Sequence, residues 1–207
     1  MSPFEYRDGA YRALWDAFEI TVFAAMARAV IDTIQSGSKQ SASKQNGSKA
    51  DPALAKLFPP ASHDAVAAKE FSRLVGHQIA DAKLNSLMQF GLTIVSNLPD
   101  AGDAGIDLDD AGDNSIEPNQ IEVCIPDAEA QSALQALTAI RVFLGAKLQI
   151  ENDQDSEILF NLLQTAAQTG NPSPDNASLE QQLFLANVFF ASGFVQETLV
   201  EAMAARL

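Results

Sequence analysis

The sequence predicts a mainly α fold, a compact helical bundle with a small antiparallel β element. Three observations predict it. Long windows repeat apolar residues every three or four positions, the period of a helix buried along one side. Asp or Ser stands just ahead of several such windows, where its side chain can satisfy free amides. Alternation with a period of two is confined to the opening residues and to residues 120–126. The chain has 207 residues, 47% of them apolar and 19% charged. One domain over residues 1–207 with a core of useful size is therefore expected. Collagen, disulfide-scaffold and wholly disordered classes are excluded by the same composition.

In the opening FEYRDGAYRAL, Asp8-Gly9 is a two-residue hairpin signal, because a type I′ turn needs positive φ at both central positions. Asp16 and Glu19 have the spacing of a capping box. A helix is expected from about Ala17 to about Gln35, with Phe18, Val22, Ala25, Ala29, Val30 and Ile34 along one side and Phe23 and Met26 widening it. Residues 36–50, SGSKQSASKQNGSKA, are polar and small in an imperfect five-residue period, and are expected to form a flexible loop. Its Lys39, Lys44 and Lys49 either solvate the loop or steer an acidic partner.

Asp51-Pro52 restarts a short helix, which Phe58-Pro59-Pro60 ends. Residues 64–98 form one helix or two, since Gly76 or Gly91 could break the run. Its apolar positions are Val66, Phe71, Leu74, Leu84, Leu87, Met88, Phe90, Ile94 and Val95. Residues 99–119 read as an acidic flexible loop. In the strand at 120–126, Ile121, Val123 and Ile125 face one way and Glu122 and Cys124 the other. The hairpin is expected to pair with 120–125. Asp127 is expected to cap a helix to about Leu148, with Leu134, Leu137, Leu144, Leu148, Ile140 and Arg141 near one seam. A further helix spans about Ser156 to Thr169. The last begins at a Ser178/Gln181 capping box and ends near Ala205. It is apolar almost all round, which suits a core or a homodimer interface. Asn187, Ser192, Gln196 and Glu197 within its most apolar stretch argue against a membrane span.

The charge is lopsided. Residues 1–98 hold ten basic and nine acidic side chains, and residues 99–207 hold three and 18, within a net charge of −14. The trailing half should repel phosphate backbones, so autonomous DNA binding is not expected. A single cysteine, Cys124, excludes an intrachain disulfide and fits a reducing cytoplasm. The N-terminus lacks the basic start and apolar run of a signal peptide.

Four stretches resemble one family in content and order: RDGAYRALWDAFE, DPALAKLFPPASHDAVAAKEFSRL at 51–74, ALTAIRVFLGAKLQI at 136–150, and GFVQETLVEAM at 193–203. The third, with Arg141, Leu144, Gly145, Lys147 and Leu148, is the most specific, and Gln196-Glu197 with Leu199-Val200 adds to it. Together they resemble the actinomycete domain-of-unknown-function 2017 family, whose AosR-like members are oxidative-stress transcriptional regulators. The resemblance implies a cytoplasmic regulator without known catalysis. An intramolecular disulfide switch needs paired cysteines, so it is not carried over to a chain holding Cys124 alone.

Several residues invite chemistry. Asp107, Asp109, Gly112 and Asp113 imitate part of an EF-hand loop, but Ala111 stands where a ligand is needed. Glu117 comes one residue too early to be the bidentate ligand, Pro118 taking its place. A solvated loop is the plainer reading. Cys124 is either a redox-active thiol or an inert, partly buried one. Arg141, in an apolar helix, needs a carboxylate or carbonyls if buried, or else faces a partner or an anion. Phe190, Phe194 and Gln196 of the last helix join it as structural or partner-contact residues. His63 and His77 match no metal-ligand or general-base spacing. No phosphate-binding loop, nucleophile elbow or dinucleotide fingerprint is present, so neither a catalytic residue, a cofactor nor a metal site is assigned. The expected function is a non-enzymatic regulatory protein in stress-linked transcription that works through protein contacts. The alternatives are a helical enzyme with an unrecognised site, or a weak DNA-binding regulator for which Arg73 and Lys83 are the best basic residues.

Overall fold

The computed structural model describes residues 1–42, 51–99, 120–169 and 177–206. Strands β1 (Glu5–Arg7) and β2 (Ala10–Trp15) open it. Helices α1 (Ala17–Ala42), α2 (Pro52–Leu57) and α3 (Ala65–Val95) follow. Then come β3 (Ile121–Pro126), α4 (Ala130–Lys147), α5 (Asp153–Thr169) and α6 (Ala177–Ala205). The fold is mainly α with a three-stranded antiparallel sheet of order β1-β2-β3.

Asp8 and Gly9 take positive φ, 52° and 78°, as the I′ turn requires. Arg7 then pairs with Ala10, and β2 pairs with β3 from Ala10↔Pro126 to Trp15↔Ile121. The pleat sends Tyr11, Ala13 and Trp15 of β2 and Val123 and Ile125 of β3 into the core. Arg12, Glu122 and Cys124 share the other face, where Glu122 accepts from both Arg7 and Arg12.

The capping box of α1 closes. Glu19 N–H donates to Asp16 Oδ1 at 2.7 Å, and Asp16 N–H donates to Glu19 Oε2 at 2.8 Å. One residue earlier, Trp15 is fully buried between Phe4 and Phe23, at centroid distances of 6.2 and 5.1 Å. This contact sets the helical phase. Ile20, Phe23, Ala27, Val30 and Ile34 go inside. Phe18, expected on the buried side, is 67% exposed. The helix also passes its expected end at Gln35 and runs to Ala42. Gly37 lies against Leu54 of α2, where a Cβ would overlap that side chain, so the missing side chain permits the crossing. The rest of the expected 36–50 loop, residues 43–50, lies outside the described residues. So do residues 100–119, with the calcium-loop reading of Asp107, Asp109 and Asp113.

Asp64 caps α3 by accepting from Val66 and Ala67 N–H. The helix is continuous, and neither Gly76 nor Gly91 breaks it. At Gly91 a Cβ would meet Ala27 Cβ at 3.9 Å, so the glycine marks the close approach of α3 to α1. Ser86, Leu87, Phe90 and Ile94 are its buried residues. Of its apolar positions, Val66 and Leu74 are 78% and 61% exposed. Helix α4 packs against α1, α2, α3, α6 and β3. Asp127 does not cap it. A 3-10 turn over Asp127–Glu129 intervenes, and the Asp127 carboxylate accepts from the Tyr11 hydroxyl at 3.1 Å and pairs with Arg206. Arg206 also lies over Tyr6, 5.1 Å from its centroid, which ties the end of α6 to the sheet.

Helix α5 starts three residues before the expected Ser156. Asp155 N–H donates to Asn152 Oδ1, while Asp155 Oδ2 accepts from the amides of Glu151 and Asn152, a second reciprocal cap. Phe160 of α5 meets Phe190 of α6 edge-on at 5.5 Å. Helix α6 begins at Ala177, so Ser178 is already inside it. By length and composition α6 could cross a membrane; Leu183, Ala186, Phe189, Val195 and Leu199 are buried in the chain's own core.

Asp16→Ala is expected to lower unfolding free energy by about 1 kcal/mol, the usual cost of a lost cap. Urea denaturation followed by circular dichroism measures it, and an unchanged midpoint would show that the box contributes nothing.

Candidate functional site

The site is an open groove of about 390 Å³ between α4 and α6. It is lined by Lys56, Thr138, Arg141, Val142, Gly145, Ile150, Phe189 and Gln196. Two features of the packing open it. Gly145 lies against the edge of Phe189, where a Cβ would stand in ordinary contact 3.7 Å from Cε2, so no side chain of α4 fills the groove at this point. Phe189 is itself 8% exposed and forms a fixed floor.

Arg141 follows the buried Ile140 on α4. A helix turns by 100° per residue, so its side chain leaves the seam at the edge facing α6. The guanidinium lies over the Phe189 ring, with Cζ 5.4 Å from the centroid. A Cβ at Gly193, one turn on, would meet Cζ at 3.6 Å. The side chain is exposed, and the ion pair considered for a buried Arg141 has no counterpart among the described residues, where it meets neither a carboxylate nor a hydrogen-bond acceptor. The physical reason is escape. Its stem crosses apolar surface while the charge stays in water, so burial never demands a mate.

Gln196 enters the groove from α6, and its Nε2 donates to Thr138 Oγ1 at 3.0 Å. Lys56 enters from α2. Its Nζ donates to the Ile150 carbonyl at 2.7 Å. Two features hold α2 and Ile150 in place. Asp51 caps α2 by accepting from Ala53 N–H at 2.9 Å and pairs with Lys147 of α4 at 2.8 Å. Beyond α4, Gln149 takes φ +59°, with Ile150 N–H bonded to Gly145 O and Gln149 N–H to Ala146 O. This is a Schellman ending in which a glutamine occupies the left-handed position that favours glycine.

The predicted site residues thus divide. Arg141 and Gln196 come together. Phe190 sits on the neighbouring flank of α6 against α5, and Phe194 is 40% exposed outside the groove. Cys124 is far off in the fold, half-buried on the outer sheet face opposite Arg12, whose guanidinium is bound to Glu122 at 2.6 Å. Its backbone amide donates to Asn97 Oδ1. His63 and His77 are exposed. Among the described residues no three His, Cys, Asp or Glu side chains gather as a metal site. Of the basic residues considered for DNA, Arg73 pairs with Glu70 and Lys83 lies over Phe58. Sequence reasoning missed Lys56 and Phe189 as site residues. No local signal marks either, because the groove joins segments far apart in the chain.

The DUF2017 family, described as a domain of unknown function, matches residues 1–203. No curated protein and no solved structure matches the chain.

Asp51's carboxyl is held below its ordinary range, first by the hydrogen bond from Lys147 and then by that from Ala53 N–H. A lowered folded pKa stabilises the fold above the unfolded carboxylate range, and this contribution disappears as pH falls through the folded value. Asp51→Asn is expected to reduce the loss of stability on acidification; acid-limb melting curves identical to wild type would contradict this. Gln149→Gly is expected to add about 0.5–1 kcal/mol by relieving the left-handed residue, read as a raised urea midpoint.

Proposed function

The chain belongs to the DUF2017 family, and from that membership and the groove we propose a cytoplasmic, non-enzymatic regulator that acts in stress-linked transcription by docking onto other polypeptides. The observation that carries this reading is the Arg141 groove: an open, cation-lined surface on an otherwise strongly acidic molecule. Five of its lining residues, Thr138, Arg141, Val142, Gly145 and Ile150, fall in the segment that most resembles the AosR-like regulators, and Lys56 and Gln196 fall in two other such segments. Charge placed in this way sets orientation and encounter rate between proteins.

The alternatives draw less support. A helical enzyme needs an acid, base or nucleophile at a pocket, and the described lining offers only Lys56 and Thr138, which donate to the Ile150 and Leu134 carbonyls with no carboxylate, imidazole or thiol beside them. A DNA-binding surface needs clustered free cations, and Arg73 and Lys83 are already engaged within α3 and with α2's end.

The test is a pull-down from native lysate with the full chain as bait, probed for RNA polymerase subunits and stress-response regulators. A transcription component is expected among the retained proteins. Recovering none, or finding that duplex DNA alone is captured tightly in a gel shift, would overturn the proposal.

A further inference from the structure

We propose that the α4–α6 groove binds a carboxylate side chain presented by a partner polypeptide, with an apolar neighbour of that residue on the Val142–Phe189–Ile150 floor. This rests on the reading of the protein as one that docks onto other polypeptides. The groove is built from donors. Arg141 carries five N–H groups, none of them bonded to an acceptor among the described residues. Lys56 commits one N–H to Ile150 and keeps two, and Gln196 commits one to Thr138 and keeps one. No described residue of the lining is acidic. Among the described residues no acceptor is therefore bonded to the Arg141 guanidinium, and an anion supplies one.

The class of anion follows from charge and shape. An arginine fork matches carboxylate and phosphate alike. The molecule as a whole carries −14, and its field opposes a doubly charged phosphate more than a singly charged carboxylate. The floor is apolar, and the volume of about 390 Å³ exceeds what a carboxylate alone fills. An acidic residue beside an apolar one satisfies both halves of the surface. The site is also preorganised. Phe189 supports the guanidinium, Thr138 holds Gln196, and Ile150 holds Lys56, so binding need order few side chains.

The experiment is an NMR titration of the ¹⁵N-labelled full chain, following the Arg141 Nε–H signal and the α4 and α6 amides. Three probes are used: a blocked Leu-Glu-Leu-Glu-Leu peptide, its Leu-Gln-Leu-Gln-Leu counterpart, and glutarate as a free carboxylate. The acidic peptide is expected to shift the Arg141 signal and the groove amides. The glutamine peptide, and the acidic peptide on an Arg141→Gln variant, are each expected to bind about tenfold more weakly, the scale of one charge-assisted hydrogen bond. Arg141 is exposed, so the variant should fold, and its amide spectrum verifies that. An unmoved Arg141 signal, or equal binding by Arg141→Gln, overturns the site. Glutarate binding as tightly as the acidic peptide overturns the polypeptide source. The two proposals fail separately. Peptide binding with no transcription component in the pull-down removes the regulatory reading alone. A transcription component retained equally by Arg141→Gln removes the groove alone.

Discussion

Helix α4 is dry along most of its length, and the rest of the molecule is arranged to keep it so. Ala130, Ala133, Ala136, Leu137, Ala139, Ile140 and Leu144 are all buried. The small residues let neighbouring helices approach, and the large ones fill the gaps between them. The strand β3 leads into α4 through the turn at Asp127, and α2 closes over it through Asp51–Lys147 and Lys56–Ile150. A helix surrounded in this way tolerates charge only at its margins. Arg141 and Lys147, its two cations, both leave at those margins: one over Phe189, the other to Asp51, with its ammonium also 5.3 Å from Phe143.

The groove is a by-product of that demand. An arginine beside a buried seam must reach water, and it does so where α6 presents a ring and a glycine. The same packing that protects α4 leaves a guanidinium braced on one side and open on the other. Structure and proposed activity are thus one arrangement seen twice: the core expels the charge, and the expelled charge is the recognition element we propose. The lopsided charge makes it conspicuous, since the trailing half of the chain carries only three basic residues.

The sheet serves a different end. Trp15, buried between Phe4 and Phe23, couples the hairpin to α1. Asp127, holding Tyr11 and Arg206, couples β2 to the end of α6. The first and last described segments therefore meet on one small β element. Cys124 lies on its outer face, away from the groove, so the thiol and the cation-lined surface are separate features.

Local features were legible in the sequence because their causes lie within a few residues. The Asp8-Gly9 turn, the Asp16/Glu19 box, the Asp51-Pro52 start and the alternation of β3 each follow from backbone geometry and one side chain. The Asn152/Asp155 box carries the same kind of signal and was equally readable. Other features needed partners distant in the chain. Periodicity shows that α1 has an apolar side, but two adjacent stripes qualified, and Trp15 chose between them. Apolar residues in α3 suggested a deep core, yet half of that helix has no neighbour among the described residues to bury it. An arginine in an apolar helix called for a mate, and only the position of Phe189 revealed that water would serve. What the sequence by itself determined was the set of elements, the hairpin turn and the caps of α1 and α2, because turns and capping bonds close over short range. Which faces those elements bury, and where a cation-lined groove opens, was decided by tertiary structure, because helical phase and side-chain escape depend on contacts between segments that the linear order keeps apart.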